Sequence, residues 1–113
     1  MVATSRIRQL NDEFRSTLLD SKLGSQGVYF TAPIAGLPLH EQSEIIRRVV
    51  EYDEFTAEND PHGEHDFGSF EFAGERILWK IDCYDLDLHY GSPDPSDPAV
   101  TKRILTIMFG DDY

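Results

Sequence analysis

"SFEFAGERILWKIDCY", residues Ser69–Tyr84, decides how the fold is read. Two runs alternate around a break. Phe70 and Phe72 share one face of the first run; Ile77, Trp79, Ile81 and Cys83 share one face of the second, with Leu78, Lys80, Asp82 and Tyr84 on the other. Aromatic and β-branched residues at a period of two form strands, and "AGER" supplies the turn. The stretch therefore reads as a β-hairpin with one strongly apolar face. A hairpin alone is marginal in water, so that face needs a covering layer.

The covering layer is found upstream. "LHEQSEIIRRVVEYDEF", residues 39–55, carries Ile45, Ile46, Val49, Val50 and Phe55 at helical spacing, with Arg47 and Arg48 outward beside Glu44 and Glu51. Pro38 suits the first turn of this helix. Ser5 to Leu23 predicts another helix, with Ile7, Leu10, Phe14 and Leu18 as its inward stripe, Thr4 or Ser5 as its cap and Gly24 closing it. Between the two helices, Gly27 to Ile34 reads as a strand ended by Pro33. Downstream, Asp97 caps and Pro98 starts a last helix with Val100, Ile104, Leu105 and Met108 inward. The β-branched content of "ILTIMF" also admits a closing strand. The order α-β-α-β-β-(α or β) predicts an α+β fold. We expect one two-layer domain over residues 1–113, with a small, mostly antiparallel sheet of three or four strands packed with two or three helices.

A chain of 113 residues is long enough to bury a real core. Its single cysteine, Cys83, rules out an intrachain disulfide and a cysteine zinc cage. Cys83 falls on the apolar face of its strand, where a thiol is core rather than nucleophile. No run reaches transmembrane length, and a cytoplasmic location is the expectation.

The formal net charge is −11. Residues 51–97 hold fourteen acids against two bases, a net −12, whereas the rest of the chain has seven acids and eight bases. Such a surface repels phosphates, so direct binding to nucleic acid or to an anionic membrane is disfavoured, and a basic partner or a cation is favoured. Asp60, Glu64, Asp66, Asp82, Asp85, Asp87 and Asp94 are the candidate partner-binding carboxylates. On a strand, Asp85 and Asp87 would point the same way about 6.8 Å apart, a spacing that imitates nucleic-acid phosphates.

"NDPHGEHDFG", residues 59–68, admits three readings. His62, His65 and Asp66 form a candidate divalent-metal set, since imidazole with carboxylate suits Zn²⁺, Mn²⁺ or Fe²⁺. Their spacing matches neither H-E-x-x-H nor a calcium hand. His65 with Asp66 or Asp82 is a candidate acid–base pair. The third reading is structural: Asn59 and Asp60 make Asx-type bonds, Pro61 stiffens the loop, and Gly63 and Gly68 take positive φ. His65 and Asp66 then pin the loop to the sheet, with Phe67 as an apolar plug. No cofactor is required by this third reading.

The segments Asn59-Asp60-Pro61, Gly63 to Gly68, Trp79 to Asp82 and Gly91 to Pro95, with "IRQLNDEFR" at the start, resemble a bacterial family of small proteins of unknown function found on proteobacterial plasmids and other mobile elements. Cys83 stands where that resemblance leads one to expect an aromatic residue. The family carries no agreed activity, so the resemblance assigns no catalytic residue. Its genomic setting implies an inhibitor of host defence, of anti-CRISPR or anti-restriction type. The partner expected is the basic nucleic-acid channel of a defence complex. A metal-dependent, hydrolase-like enzyme using the His62/His65/Asp66 loop is the alternative, and an accessory domain for an unknown partner the second alternative.

Overall fold

The computed structural model describes residues 2–18 and 27–113. Along the chain run α1 (Val2–Ser16), β1 (Val28–Phe30), α2 (Ala32–Ala35), α3 (Leu39–Val50), β2 (Phe67–Phe72), β3 (Glu75–Tyr84) and β4 (Lys102–Phe109), with 3₁₀ turns at Pro98–Val100 and Gly110–Asp112. The strands form one sheet in the order β1-β4-β3-β2. β3 pairs antiparallel with both β2 and β4, and β1 runs parallel to β4. This is a small α+β domain with a mixed, mostly antiparallel sheet.

The hairpin forms where its alternation places it. Phe72 pairs with Glu75 and Phe67 with Lys80. The turn narrows to Ala73 and Gly74, both at positive φ (53° and 83°), the two-residue form whose twist matches the flanking strands. Trp79 is fully buried at the centre of β3. Its cross-strand partner is Gly68, where an added Cβ would run into the Trp79 indole. Gly68 therefore belongs to β2 and makes room for the indole, instead of supplying positive φ to the loop.

Helices cover one face of the sheet. Leu18, Ile34, Ile45 and Val49 pack with Phe70, Ile77, Trp79, Ile81, Leu105 and Ile107 in one cluster. Full burial of an aliphatic or aromatic side chain of this size contributes about 1.5–3 kcal/mol, so this layer dominates the stability of the domain.

Several boundaries depart from the sequence expectation. The last segment is strand β4, not a helix. Leu105 and Ile107 face the helices, while Ile104 and Met108 are buried on the opposite face. A strand buried on both faces reads as a continuous apolar run, which hides its period of two. Asp97 and Pro98 do start a turn, but it is a single 3₁₀ turn in which the Asp97 carboxylate accepts the Ala99 N–H at 2.9 Å. β1 stops at Phe30, because Pro33 occupies the first turn of α2. α3 ends at Val50, so Phe55 reaches the core edge from irregular chain. α1 begins at Val2, which places Thr4 and Ser5 inside the helix, and it ends at Ser16. The expected last turn over residues 19–23 and the closing Gly24 lie outside the described residues. Among the described residues, no helix is long and apolar enough to cross a membrane.

Overpacking a filled site costs about 1–3 kcal/mol. Gly68→Ala is expected at the upper end of that range, because the obstructing group is a rigid, buried indole. Gly74→Ala meets no neighbour within 4 Å and carries only the strain of its positive φ, about 1 kcal/mol. Urea denaturation of both variants checks the assignment, and equal losses would contradict it.

Candidate functional site

The loop joining α3 to β2 is built around one carboxylate. Asp60 is 8% exposed, and its Oδ1 accepts the Glu64 N–H at 3.2 Å and the His65 N–H at 3.3 Å. Thr56 and Asn59 exchange bonds just upstream: the Thr56 N–H donates to Asn59 Oδ1 at 2.8 Å and the Asn59 N–H to Thr56 Oγ1 at 3.2 Å. Gly63 takes positive φ as expected (66°), and so does His65 (54°). A non-glycine residue in that region is held there by its surroundings.

Those surroundings come from α1. The His65 ring stacks on Phe55 at 3.8 Å, within 5° of parallel. Its Nδ1 lies 2.9 Å from Asp12 Oδ1, and its Nε2 faces Asp60 Oδ2 at 3.8 Å. Asp12 also accepts from Arg15 at 3.3 Å. Arg15 is 6% exposed; its Nη1 donates to the carbonyls of Val49 at 2.7 Å and Tyr52 at 2.8 Å, and its guanidinium lies 5.0 Å from the Trp79 ring. Asn11 is 1% exposed; its Nδ2 donates to the Glu64 carbonyl at 2.9 Å, while its Oδ1 accepts from Arg103 Nε at 2.7 Å. Arg103 in turn donates to the Pro95 carbonyl at 2.6 Å.

The most buried of the described positions of α1 are thus polar. Ile7, Leu10 and Phe14 are only half-buried, whereas Asn11 and Arg15 are fully inside. The apolar-stripe reading missed them, although Arg8, Asn11 and Arg15 recur at helical spacing and mark a second stripe. Arg15 meets the last carbonyls of α3, where a cation is favoured by unpaired C=O groups and by the helix dipole. Burial pushes the Arg15 guanidinium below its usual value, and Asp12 pulls it back up. The group remains charged throughout the ordinary pH range.

The candidate carboxylates fall into distinct environments. Asp60 is a buried acceptor inside the loop and not part of an acidic surface, because its oxygens are turned toward the loop amides. Glu64 and Asp66 are half-buried. Burial first, then the charge of Asp66 for Glu64 and of Asp60 for Asp66, hold both carboxyls above the usual range. The Asp66 carbonyl accepts the Ile81 N–H at 2.8 Å, so Asp66 ties the loop to β3 through its main chain. His65 pins the loop to α1 rather than to the sheet. Phe67 lies near Tyr113, on the sheet face away from the helices, and is no core plug.

Asp82 pairs with Lys80 at 2.8 Å. Asp85 and Asp87 are not at a strand step, because β3 ends at Tyr84. They sit in a turn in which Asp85 Oδ1 accepts the His89 N–H at 3.0 Å and Leu88 takes φ 61°. Asp94 is exposed and accepts from Ser96. The two loop histidines have separate settings: His62 is exposed, while His65 is engaged by Asp12. Among the described residues, no group of three or more His, Cys, Asp or Glu side chains is arranged to hold a metal ion. Burial raises the Cys83 thiol, which keeps it out of the reactive thiolate form.

Arg15→Met keeps the bulk of the side chain but removes the charged donor from the Val49 and Tyr52 carbonyls, a loss expected at about 3 kcal/mol. Asp12→Ala and His65→Ala are expected to couple in a double-mutant cycle by about 1 kcal/mol. Urea midpoints read both, and additive losses for the Asp12/His65 pair would show that their contact contributes nothing.

The geometry accounts for most of the residues of "NDPHGEHDFG" through folding alone. No curated protein and no solved structure matches the chain. A family model matches residues 30–112, which span the loop and strands β2, β3 and β4 but not α1 and only the last residue of β1. The chain belongs to that family, described as "Protein of unknown function (DUF3768)".

Proposed function

We infer that this protein is a small acidic binding protein, not an enzyme, whose carboxylates engage a basic protein surface. In its most specific form it is an inhibitor that occupies the nucleic-acid channel of a host defence protein, of anti-CRISPR or anti-restriction type. The observation that supports this reading is an asymmetry in how the charges are used. Of the nine described cations, seven are engaged within the chain, while Arg6 and Lys102 stay exposed. Arg15 and Arg103 are tied to main-chain carbonyls, Arg8 reaches the Gly63 carbonyl, Arg47 pairs with Glu44, Lys80 pairs with Asp82, Arg76 donates to Ser69, and Arg48 stacks on Phe70. Anions are left to solvent. Of the fourteen acids in residues 51–97, eight are exposed: Glu51, Asp53, Glu54, Glu58, Glu71, Glu75, Asp87 and Asp94.

A folded surface on which exposed carboxylates outnumber unengaged cations repels nucleic acid and attracts basic clefts. Glu64 and Asp66 add to this. Partly desolvated beside other carboxylates, they are strained by their own charge, and an incoming cationic group relieves that strain.

Binding is tested against a panel of purified CRISPR effector and restriction nucleases, with affinity measured across a salt series. At least one partner is expected to bind, with affinity falling steeply as salt rises toward about 0.3 M, because screening shortens the reach of surface charge. Joint neutralisation of Asp82, Asp85 and Asp87 to Asn is expected to weaken it about tenfold or more, at about 1.4 kcal/mol per decade. Affinity unchanged by salt and by neutralisation would sink this reading.

The electrostatic strain has its own signature. The folded state binds protons at Glu64 and Asp66 more tightly than the unfolded state does. Their contribution to stability therefore falls as pH rises from the ordinary carboxylate range through their raised values. Asp66→Asn removes one charged group, so the variant is expected to gain stability relative to wild type as pH rises from about 4 to 7. Urea midpoints taken through that range would contradict the strain if the difference stayed flat.

A further inference from the structure

We propose that two copies of this chain pair through the free edge of β2, antiparallel about Ser69, to make one continuous eight-stranded sheet. The register identifies the free groups. Phe72 and Glu75 flank a two-residue turn, so they exchange hydrogen bonds, and Phe70–Ile77 and Gly68–Trp79 follow as bonded pairs. The N–H and C=O groups of Phe67, Ser69 and Glu71 then point away from β3. Among the described residues none of them has a main-chain partner.

The two edges of the sheet are treated differently. β1 is three residues long and is cut short by Pro33 and α2. β2 is six residues long, "FGSFEF", with neither lysine nor proline and no bulge in its register with β3. Those are the features by which monomeric proteins usually block an edge. An unblocked, regular edge is a template for another strand, and the strand of matching length and register available to it is the β2 of a second copy.

A two-fold axis at Ser69 sets Phe67 of one copy beside Glu71 of the other, and Ser69 beside Ser69. The Ser69 side chain at that axis is small and accepts from Arg76 Nη1 of its own copy at 3.0 Å. Charge modulates this pairing. Beside the edge lies a cleft of about 210 Å³ lined by Arg48, Glu51, Tyr52, Asp53, Glu54 and Phe70. Arg48 lies over the Phe70 ring at 4.6 Å and has no ion-pair partner among the described residues. With three carboxylates against one arginine, the cleft sets like charges near the axis, so pairing is expected to tighten as salt rises.

The full chain is examined by sedimentation equilibrium at about 10 and 200 µM, beside Ser69→Pro and Ser69→Lys. Proline at position 69 removes an N–H that points outward, leaving the bonded pairs of the hairpin intact. Lysine instead places two like charges on the axis. Wild type is expected at twice the 12.9 kDa chain mass at the higher concentration. Both variants are expected at the monomer mass with an unchanged circular dichroism spectrum. If Ser69→Pro unfolds, Ser69→Lys alone carries the comparison. A monomeric wild type at the higher concentration, or a dimer that survives a folded Ser69 variant, would overturn the proposal.

Discussion

The guanidinium of Arg15 ties the elements of the domain together at a buried polar junction. It reaches the carbonyls that end α3, lies over the indole at the centre of the sheet, and shares Asp12 with the histidine of the long loop. Helix, helix, sheet and loop thus converge on one cation. Burying a charge is tolerated only when it is paired and hydrogen-bonded. Here the two terminal nitrogens meet carbonyl and carboxylate oxygens, and the flat faces meet aromatic rings. Arginine suits this position because its planar fork serves several acceptors at once, which lysine cannot do.

From that junction the behaviour of the loop follows. Its residues resemble a reactive site because it concentrates histidines, carboxylates and glycines. Yet Asp60 is spent on two amides, His65 on Asp12 and Phe55, Gly68 on the Trp79 indole, and the Asp66 carbonyl on β3. The chemistry-bearing side chains are used to fix an irregular segment of chain against a helix. A long loop can stay ordered only if its main-chain groups find partners, and α1 supplies several of them.

The sequence made some of this legible and hid the rest for physical reasons. The hairpin was readable because β2 and β3 bury one main face, so that Phe70, Phe72, Ile77, Trp79 and Ile81 alternate with other side chains. β4 was ambiguous because Ile104 and Met108 are buried on the face opposite Leu105 and Ile107, which erases the alternation. Hydrophobicity does not mark the inward face of α1, because Asn11 and Arg15 are buried by hydrogen bonds, and only their helical spacing with Arg8 hints at it. Asp60 was placed on the surface for the same reason. Its partners are amides, and amides leave no mark in the sequence. Asp85 and Asp87 depended on where β3 stops, and strand ends are set by the tertiary turn at Asp85–Tyr90.

Native-state amide exchange at Glu64 and His65 tests most directly whether this loop is a braced part of the fold. If Asp60, Asp12 and Arg15 lock it as described, both amides exchange only through global unfolding, with the same free energy as the amide of Trp79. Exchange of the two loop amides orders of magnitude faster than that of Trp79 would mean that the loop opens on its own, and would contradict the account.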